Sequence, residues 1–333
     1  HAEHGTASSE VIDGVRVERF HYLWPRRLQT VCYHGGALVN LRSNRLNVLK
    51  LPALVFWQWV GIFKRLRTKR YDVVHSHWIL PQGFNASIAG MLLGVPHVLT
   101  VHGGDVFALK SRILQRFKRF SVGKADTVTV NSSVTRAAVL AIGDSPGDLR
   151  TIPMGVDTES DAPSSEEKSA VRRRYTAVSE PLIIFVGRVV EEKGVEDFLR
   201  AIAILRQAFP AIRGVVVGDG PDSAHFESLA KSLGLEGNVS FPGWMESDQV
   251  RAHLAAADVF VGPSRRGSDG WVEAQGLTFL EAMASRTPVV ATRSGGIVDS
   301  VENDVTGLLV DEQAPEQIAL AVRGLLEDTA LAK

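Results

Sequence analysis

Short apolar runs rich in valine and isoleucine alternate along the chain with segments of helical length. In the first half the runs are Asp72-Val-Val-His-Ser-His77, His97-Val-Leu-Thr-Val-His102 and Thr127-Val-Thr-Val-Asn131. In the second half they are Leu182-Ile-Ile-Phe-Val-Gly187, Gly214-Val-Val-Val-Gly218, Asp258-Val-Phe-Val-Gly262, Pro288-Val-Val-Ala-Thr292 and Gly307-Leu-Leu-Val310. Runs of this kind, separated by helices, are the pattern of parallel strands covered on both faces. They predict an α/β fold with one doubly wound domain in each half. Residues 157–167 are polar and lack apolar periodicity, and a basic segment follows them up to Tyr175. This predicts domains over 1–157 and 181–333 joined by a linker over 158–180. Ligands of open parallel sheets bind beyond the C-terminal strand ends, so two such domains facing each other are expected to form a cleft.

Composition narrows the class. The chain has 333 residues, 45% of them hydrophobic and 22% charged, with 37 Lys+Arg against 37 Asp+Glu. That is a globular composition, not a disordered one, and the neutral total gives no sign of a nucleic-acid binder. The zero is a cancellation: residues 1–157 carry 20 Lys+Arg and 10 Asp+Glu, whereas 158–333 carry 17 and 27. A basic first half suggests an anionic partner for that half. Cys32 is the single cysteine, which excludes an intrachain disulfide and a Cys-based zinc site. The Asn-x-Ser triplets at Asn85, Asn131 and Asn238 read as chance matches.

The apolar stretch 51–63 is 13 residues long, short of the ~20 that spanning requires, so it is not expected to cross a membrane. Lys64, Arg65, Arg67, Lys69 and Arg70 follow it, and a second basic run over 110–119 interleaves Ile113, Leu114 and Phe117. Trp57 and Trp59 beside these cations fit either an interfacial surface or a helix packed on the sheet with a solvated charged end.

The residues that carry chemistry cluster after predicted strands. In Trp271-Val-Glu-Ala-Gln-Gly-Leu-Thr-Phe-Leu-Glu-Ala-Met-Ala284, Gly276 is expected to turn the chain into a helix whose first amides, at Gly276, Leu277 and Thr278, suit a phosphate. Were the whole stretch helical, Glu273 and Glu281 would stand about 12 Å apart along the axis. That exceeds the ~5–9.5 Å of a glycosidase carboxylate pair and suits gripping hydroxyls at opposite ends of a diphosphate. Arg188 and Lys193 follow Gly187 on one loop, where two fixed cations can neutralise a leaving diphosphate. His102 and Asp105 end a strand with two glycines between them, a pair useful for sugar hydroxyls. His75 and His77 form a His-x-His on one strand face but lack a third ligand at convincing spacing, so no metal is expected there. A Gly-x-Gly-x-x-Gly turn after a strand, a Walker loop, a Gly-x-Ser-x-Gly elbow and an Asp-x-Asp pair are all missing from the sequence.

Taken in order, His102-Gly-Gly-Asp105, Ile152-Pro-Met-Gly-Val-Asp157, Gly187-Arg188 with Lys193-Gly194, Gly218-Asp-Gly-Pro221, and Glu273 with Glu281 followed by Ala-Met-Ala resemble family 4 retaining glycosyltransferases. The resemblance implies the GT-B architecture, two Rossmann-like domains facing across a cleft. It implies Glu281 on the ribose hydroxyls, Glu273 on the donor sugar, and Arg188 and Lys193 on the diphosphate with amides around Gly187 and from Gly276 to Thr278. His102 and Asp105 would reach the sugar, and Phe241-Pro-Gly-Trp-Met245 would line the base. A retaining transfer from a nucleotide-diphosphate sugar to a saccharide or lipid-linked acceptor follows, with no metal, no cofactor and no nucleic-acid partner. Such an enzyme would work in the cytoplasm, peripherally on an anionic membrane surface, in cell-surface polysaccharide or glycolipid assembly. By the same pattern, His1-Ala-Glu-His falls just after the family's second strand, so the first domain is expected to lack its initial strand and helix, and Lys333 falls before the family's terminal helices. A non-catalytic nucleotide-sugar-binding module and a sugar-nucleotide epimerase of the same fold are the alternatives.

Overall fold

The computed structural model describes residues 6–32, 37, 40–41, 44–143, 146–158, 162–176, 180–268, 270–328 and 331. His1-Ala-Glu-His, Lys333 and parts of the 158–180 stretch, whose readings appear above, lie outside the described residues. The chain divides into two compact units, one of residues 1–130 and 139–150, the other of 131–138 and 151–333.

In the first unit an antiparallel hairpin joins β1 (Ser9–Ile12) to β2 (Val15–Glu18). The turn is Asp13-Gly14, both at positive φ, the geometry that matches the twist of a two-residue hairpin. A four-stranded sheet follows in the order β3 (Val74–His77), β4 (His97–Val101), β5 (Thr127–Val130), β6 (Asp148–Thr151), with the first three parallel. Its helices are α1 (Leu51–Thr68), α2 (Phe84–Leu93), the single turn α3 (Gly104–Phe107) and α4 (Arg112–Lys124). Helix α5 (Ser133–Leu140) leads out of β5. His97 is buried between the hydroxyls of Ser76 (2.7 Å) and Ser87 (3.1 Å), and burial lowers its pKa to about 4. It is a structural, neutral histidine.

Six parallel strands make the sheet of the second unit: β7 (Leu182–Val186), β8 (Arg213–Val217), β9 (Val239–Gly243), β10 (Val259–Gly262), β11 (Val289–Thr292) and β12 (Leu308–Val310). Their order is β9-β8-β7-β10-β11-β12, so the winding reverses between β7 and β10. The period-two alternation of β7 sends Ile183 and Phe185 to one face and Leu182 and Ile184 to the other, and all four are buried. The first face packs on α7 (Val195–Leu205), α8 (Ser223–Ser232) and α12 (Pro315–Glu327) through Phe198, Ile202, Phe226 and Val322. The second packs on α9 (Ser247–Ala256), α10 (Leu277–Ala284) and the short α11 (Ile297–Ser300) through Leu254, Phe279 and Ile297.

Within 158–180, read above as linker, α6 (Ser165–Tyr175) forms and packs on α9 of the second unit. A capping box starts it: the Ser164 hydroxyl accepts from the Glu167 amide, and the Glu167 carboxylate accepts from the Ser164 amide. Arg172 then pairs with Asp258 at 3.1 Å and donates to the carbonyls of Ala256 and Glu180. Helical amphipathicity is faint here because one arginine and Tyr175, not an apolar stripe, carry the docking; Tyr175 meets His253 at 3.1 Å. The Asn-x-Ser asparagines Asn85, Asn131 and Asn238 are all buried, which explains them as packing residues.

Candidate active site

The winding reverses between β7 and β10, and the C-terminal strand ends at such a reversal are where ligands of open α/β sheets sit. Four loops meet there, and hydrogen bonds knit them together. Gly187 N donates to Val217 O (3.0 Å) and Val189 N to Asp219 O (3.0 Å), tying the loop after β7 to the one after β8. Gly296 N donates to Glu273 O (2.8 Å), tying the loop after β11 to the one after β10.

The structure brings Lys193 and Glu273 together: the ammonium donates to the carboxylate Oε2, and Nζ also stands 5.3 Å from the centre of the Trp271 ring. The sequence reading gave these two residues separate ligands, phosphate for one and sugar for the other. Here they form one part-buried ion pair in which each neutralises the charge the other would otherwise bury alone. Arg188 lies on the same loop, exposed, with Glu192 at 3.9 Å, a contact too loose and too solvated to hold the guanidinium.

Gly276 carries the chain from this loop into α10. It adopts φ +79, and a Cβ there would stand 2.4 Å from the Phe279 ring, so both conformation and space demand glycine. No side chain caps α10, which leaves the amides of Leu277 and Thr278 directed out of the helix N-terminus. Glu273 precedes the helix in extended loop, and only Glu281 is helical. Glu281 is half-buried, burial raises its pKa, and among the described residues its carboxylate has no hydrogen bond or ion pair.

Gln275 escaped the sequence reading. Its side-chain amide clasps the backbone of Met154 both ways, accepting from N and donating to O at 2.9 Å each. Its own carbonyl accepts from Ser300 Oγ at 3.2 Å. The Ile152–Asp157 motif is thus fixed against the segment that presents Glu273 and the helix amides, a rigid support of the kind that orients a site. Nothing in the spacing of 154 and 275 signals this, because the pairing is made by topology. Trp271, beneath Lys193, escaped for the same reason.

His102 and Asp105 lie in the first unit, at the end of β4 and in α3. Asp105 is buried and accepts from the amides of Ile79 (2.9 Å) and His102 (3.1 Å); burial raises its pKa, against those hydrogen bonds. A carboxylate used this way orders the turn around His102. His102 Nε2 is 2.9 Å from His77 Nδ1, and the His77 ring lies tilted against that of His75 with ring centres 4.5 Å apart. Burial lowers the pKa of both His102 and His75, which favours their neutral forms. Among the described residues no group of three or more His, Cys, Asp or Glu has the arrangement of a metal site.

These motifs and this fold match known proteins. The model of the glycosyl transferases group 1 matches residues 167–333, and that of Glycosyltransferase Family 4 matches residues 13–160. The chain belongs to glycosyltransferase family 4. It is 34% identical over 239 residues to the GDP-mannose-dependent alpha-(1-6)-phosphatidylinositol monomannoside mannosyltransferase of Mycobacterium tuberculosis, covering 71% of this chain and 62% of that protein. This family 4 chain therefore spans less than two thirds of that relative's length. Among solved structures, sucrose-phosphate synthase from Thermosynechococcus elongatus aligns with a TM-score of 0.74 at 24% identity, over 99% of this chain and 79% of that one. HepE from Anabaena in complex with UDP aligns at 0.71 and 23% identity, over 82% and 73%. The fold is GT-B, with two Rossmann-like units.

Proposed function

We propose that this family 4 chain transfers a sugar, with retention of anomeric configuration and without a metal ion, from a nucleotide-diphosphate sugar to a hydroxyl of a saccharide or lipid-linked acceptor in the cytoplasm. The observation that carries the reading is the Lys193–Glu273 pair set beside Arg188, the open amides of α10 and the unpaired carboxylate of Glu281. The arrangement supplies cations and amides for a diphosphate between two carboxylates for hydroxyls. Glu281 takes the ribose diol, Arg188, Lys193 and the amides around Gly276 take the phosphates, and Glu273 takes the sugar. His102 keeps its assignment to a sugar hydroxyl on the motif alone.

In the reaction the bond from the anomeric carbon to the phosphate oxygen breaks, and the acceptor oxygen bonds to that carbon on the same face. The acceptor's proton passes to the departing diphosphate oxygen. No protein nucleophile enters; the side chains position the reactants and stabilise the charge that builds on the phosphate. The relative named for GDP-mannose and the neighbour bound to UDP support a nucleoside diphosphate donor. The mannosyltransferase's lipid-linked substrate name supports glycolipid or surface-polysaccharide assembly.

A thermal-shift screen of UDP-, GDP- and ADP-sugars in the presence of EDTA tests the reading, since a ligand bound only to the folded state raises the melting temperature. One nucleotide class is expected to stabilise the chain and to release free nucleoside diphosphate when an acceptor is added. Stabilisation without release under every acceptor supports a non-catalytic module, and dependence on added divalent ion contradicts the metal-free reading.

A further inference from the structure

The loop read above as the seat of the diphosphate is acidic by its own sequence. From Arg188 to Asp197 the chain carries two cations, Arg188 and Lys193, and four carboxylates, Glu191, Glu192, Glu196 and Asp197. Glu196 and Asp197 lie in the first turn of α7, where the helix dipole favours an acid and the helix gains from it. The same acids oppose a diphosphate arriving at Arg188 and Lys193, a few residues away.

The structure sets another cation against these acids from a different loop. Arg265 follows β10, and its side chain is only 12% exposed. Its guanidinium lies 3.6 Å from Glu191, 3.7 Å from Glu196 and 3.7 Å from Asp197. Its backbone amide donates to Glu192 O at 2.9 Å. The turn at 191–193 is anchored to the loop after β8 as well, where Asp222 accepts from the Glu191 amide at 3.0 Å. Asp197 is buried, and among the described residues its Oδ2 makes no hydrogen bond. Burial raises its pKa, and Arg265 is the strongest influence in the other direction. All three side-chain contacts of Arg265 exceed hydrogen-bond length, so what it supplies is charge and not directed bonds.

We propose that Arg265 is a positioning residue for the donor's diphosphate: it offsets Glu191, Glu196 and Asp197, so that the loop after β7 can face phosphate. The inference rests on the reading of that loop as the diphosphate site. Arg265 does not touch the donor in this role; it acts through Arg188 and Lys193, by engaging their acidic neighbours. Glu196 is shared with Arg200 at 2.9 Å, and Glu192 lies 3.9 Å from Arg188, so every acid of the segment has a cation within reach. Without Arg265, Glu191 and Asp197 lose the ion pairs they make among the described residues, and Asp197 keeps a buried charge uncompensated. A lysine serves in its place, because the site uses charge and not the forked bonding pattern of a guanidinium.

Ligand-observed NMR titration of UDP, GDP and ADP, each beside its nucleoside, tests the role in the full chain. The wild-type chain is expected to bind one of the diphosphates. Arg265→Gln is expected to bind it at least about ten-fold more weakly, while holding the nucleoside within about two-fold. A damaged fold weakens both ligands alike, so the difference isolates the phosphates. Arg265→Lys is expected to return the diphosphate affinity to within about three-fold of wild type. Glu191→Gln/Glu196→Gln leaves Arg265 paired with the buried Asp197 and is expected to tighten diphosphate binding about two- to five-fold. That double variant decides the matter if Arg265→Gln does not fold. Unchanged diphosphate affinity or an equal loss of both ligands in Arg265→Gln, an Arg265→Lys chain no better than Arg265→Gln, or no tightening in the glutamate double variant would each overturn the proposal alone. A wild-type chain that binds none of the three diphosphates overturns the reading of the site, and the proposal with it.

Discussion

Glu273→Gln cuts nucleotide release from the donor about 10²–10³-fold and leaves the chain folded. Gln keeps the size of Glu and can still accept a hydrogen bond, so the loop between β10 and α10 retains its support from Gln275, Ser300 and Gly296. What disappears is the charge that pairs with Lys193 and that the proposed function sets on the donor sugar. Losing a charge-assisted hydrogen bond in a part-buried position costs about 1.5–3 kcal/mol of stability, less than the total that holds a domain folded. The two residues form one charge pair, so their effects are not independent. Lys193→Ala is expected to be nearly as damaging, and the double variant little worse than either single one. Release rates of the three variants decide it: a Glu273→Gln chain with a third or more of the wild-type rate contradicts the assignment.

Gly194→Ala is expected to be strongly destabilising to the second unit. Gly194 follows Lys193, sits at φ +73, and a Cβ there would stand 1.9 Å from the carbonyl oxygen of Pro263. The left-handed conformation costs about 1–2 kcal/mol, and forcing apart the loops after β7 and β10 adds about 1–3 kcal/mol. Gly234→Ala is the control, with a similar φ of +69 but its nearest neighbour an Arg206 nitrogen at 3.7 Å. Urea unfolding of the second unit is expected to show the Gly194 variant weaker than the Gly234 variant by at least ~1 kcal/mol. The Gly194 variant is also expected to bind donor nucleotide more weakly, because Lys193 moves with the displaced loop. Equal costs for the two substitutions would show that backbone conformation alone, and not the closeness of the loops, fixes this glycine.

How far the sequence foretells the molecule depends on what holds each part. The buried strands β7, β8, β10 and β11 are legible because continuous valine and isoleucine runs have no other place in a globular fold. The hairpin β1–β2 escaped although its Asp13-Gly14 turn between alternating apolar residues is a strong local signal. Strand β9 escaped because Pro242 lies within it, tolerated there by its position at the sheet edge. Helix α6 was read as linker because capping and the Arg172–Asp258 pair, not an apolar stripe, hold it in place.

The site divides in the same way. Arg188, Lys193, Glu273 and Gly276 stand out in the sequence because each lies in a loop after a strand of the second sheet or just before a helix, whereas Glu281 lies within α10. Their partnerships were not. The clasp of Gln275 on Met154 and the stacking of Lys193 on Trp271 come from loops that only the strand order brings together. The row of His75, His77 and His102 arises from parallel pairing of β3 and β4, which sets residues 25 positions apart within hydrogen-bond reach. Asp105 shows the opposite lesson: a carboxylate in a motif can spend both oxygens on backbone amides.

The account is tested most directly by the configuration of the transferred sugar. An α-linked nucleotide sugar identified by the donor screen would be incubated with the chain, an acceptor glycoside and EDTA, and the one-bond carbon–hydrogen coupling at the product's anomeric carbon read by NMR. The account predicts an α-glycoside formed together with one equivalent of free nucleoside diphosphate. A β-glycoside, or a donor that binds at this site and is recovered intact or epimerised, would contradict it.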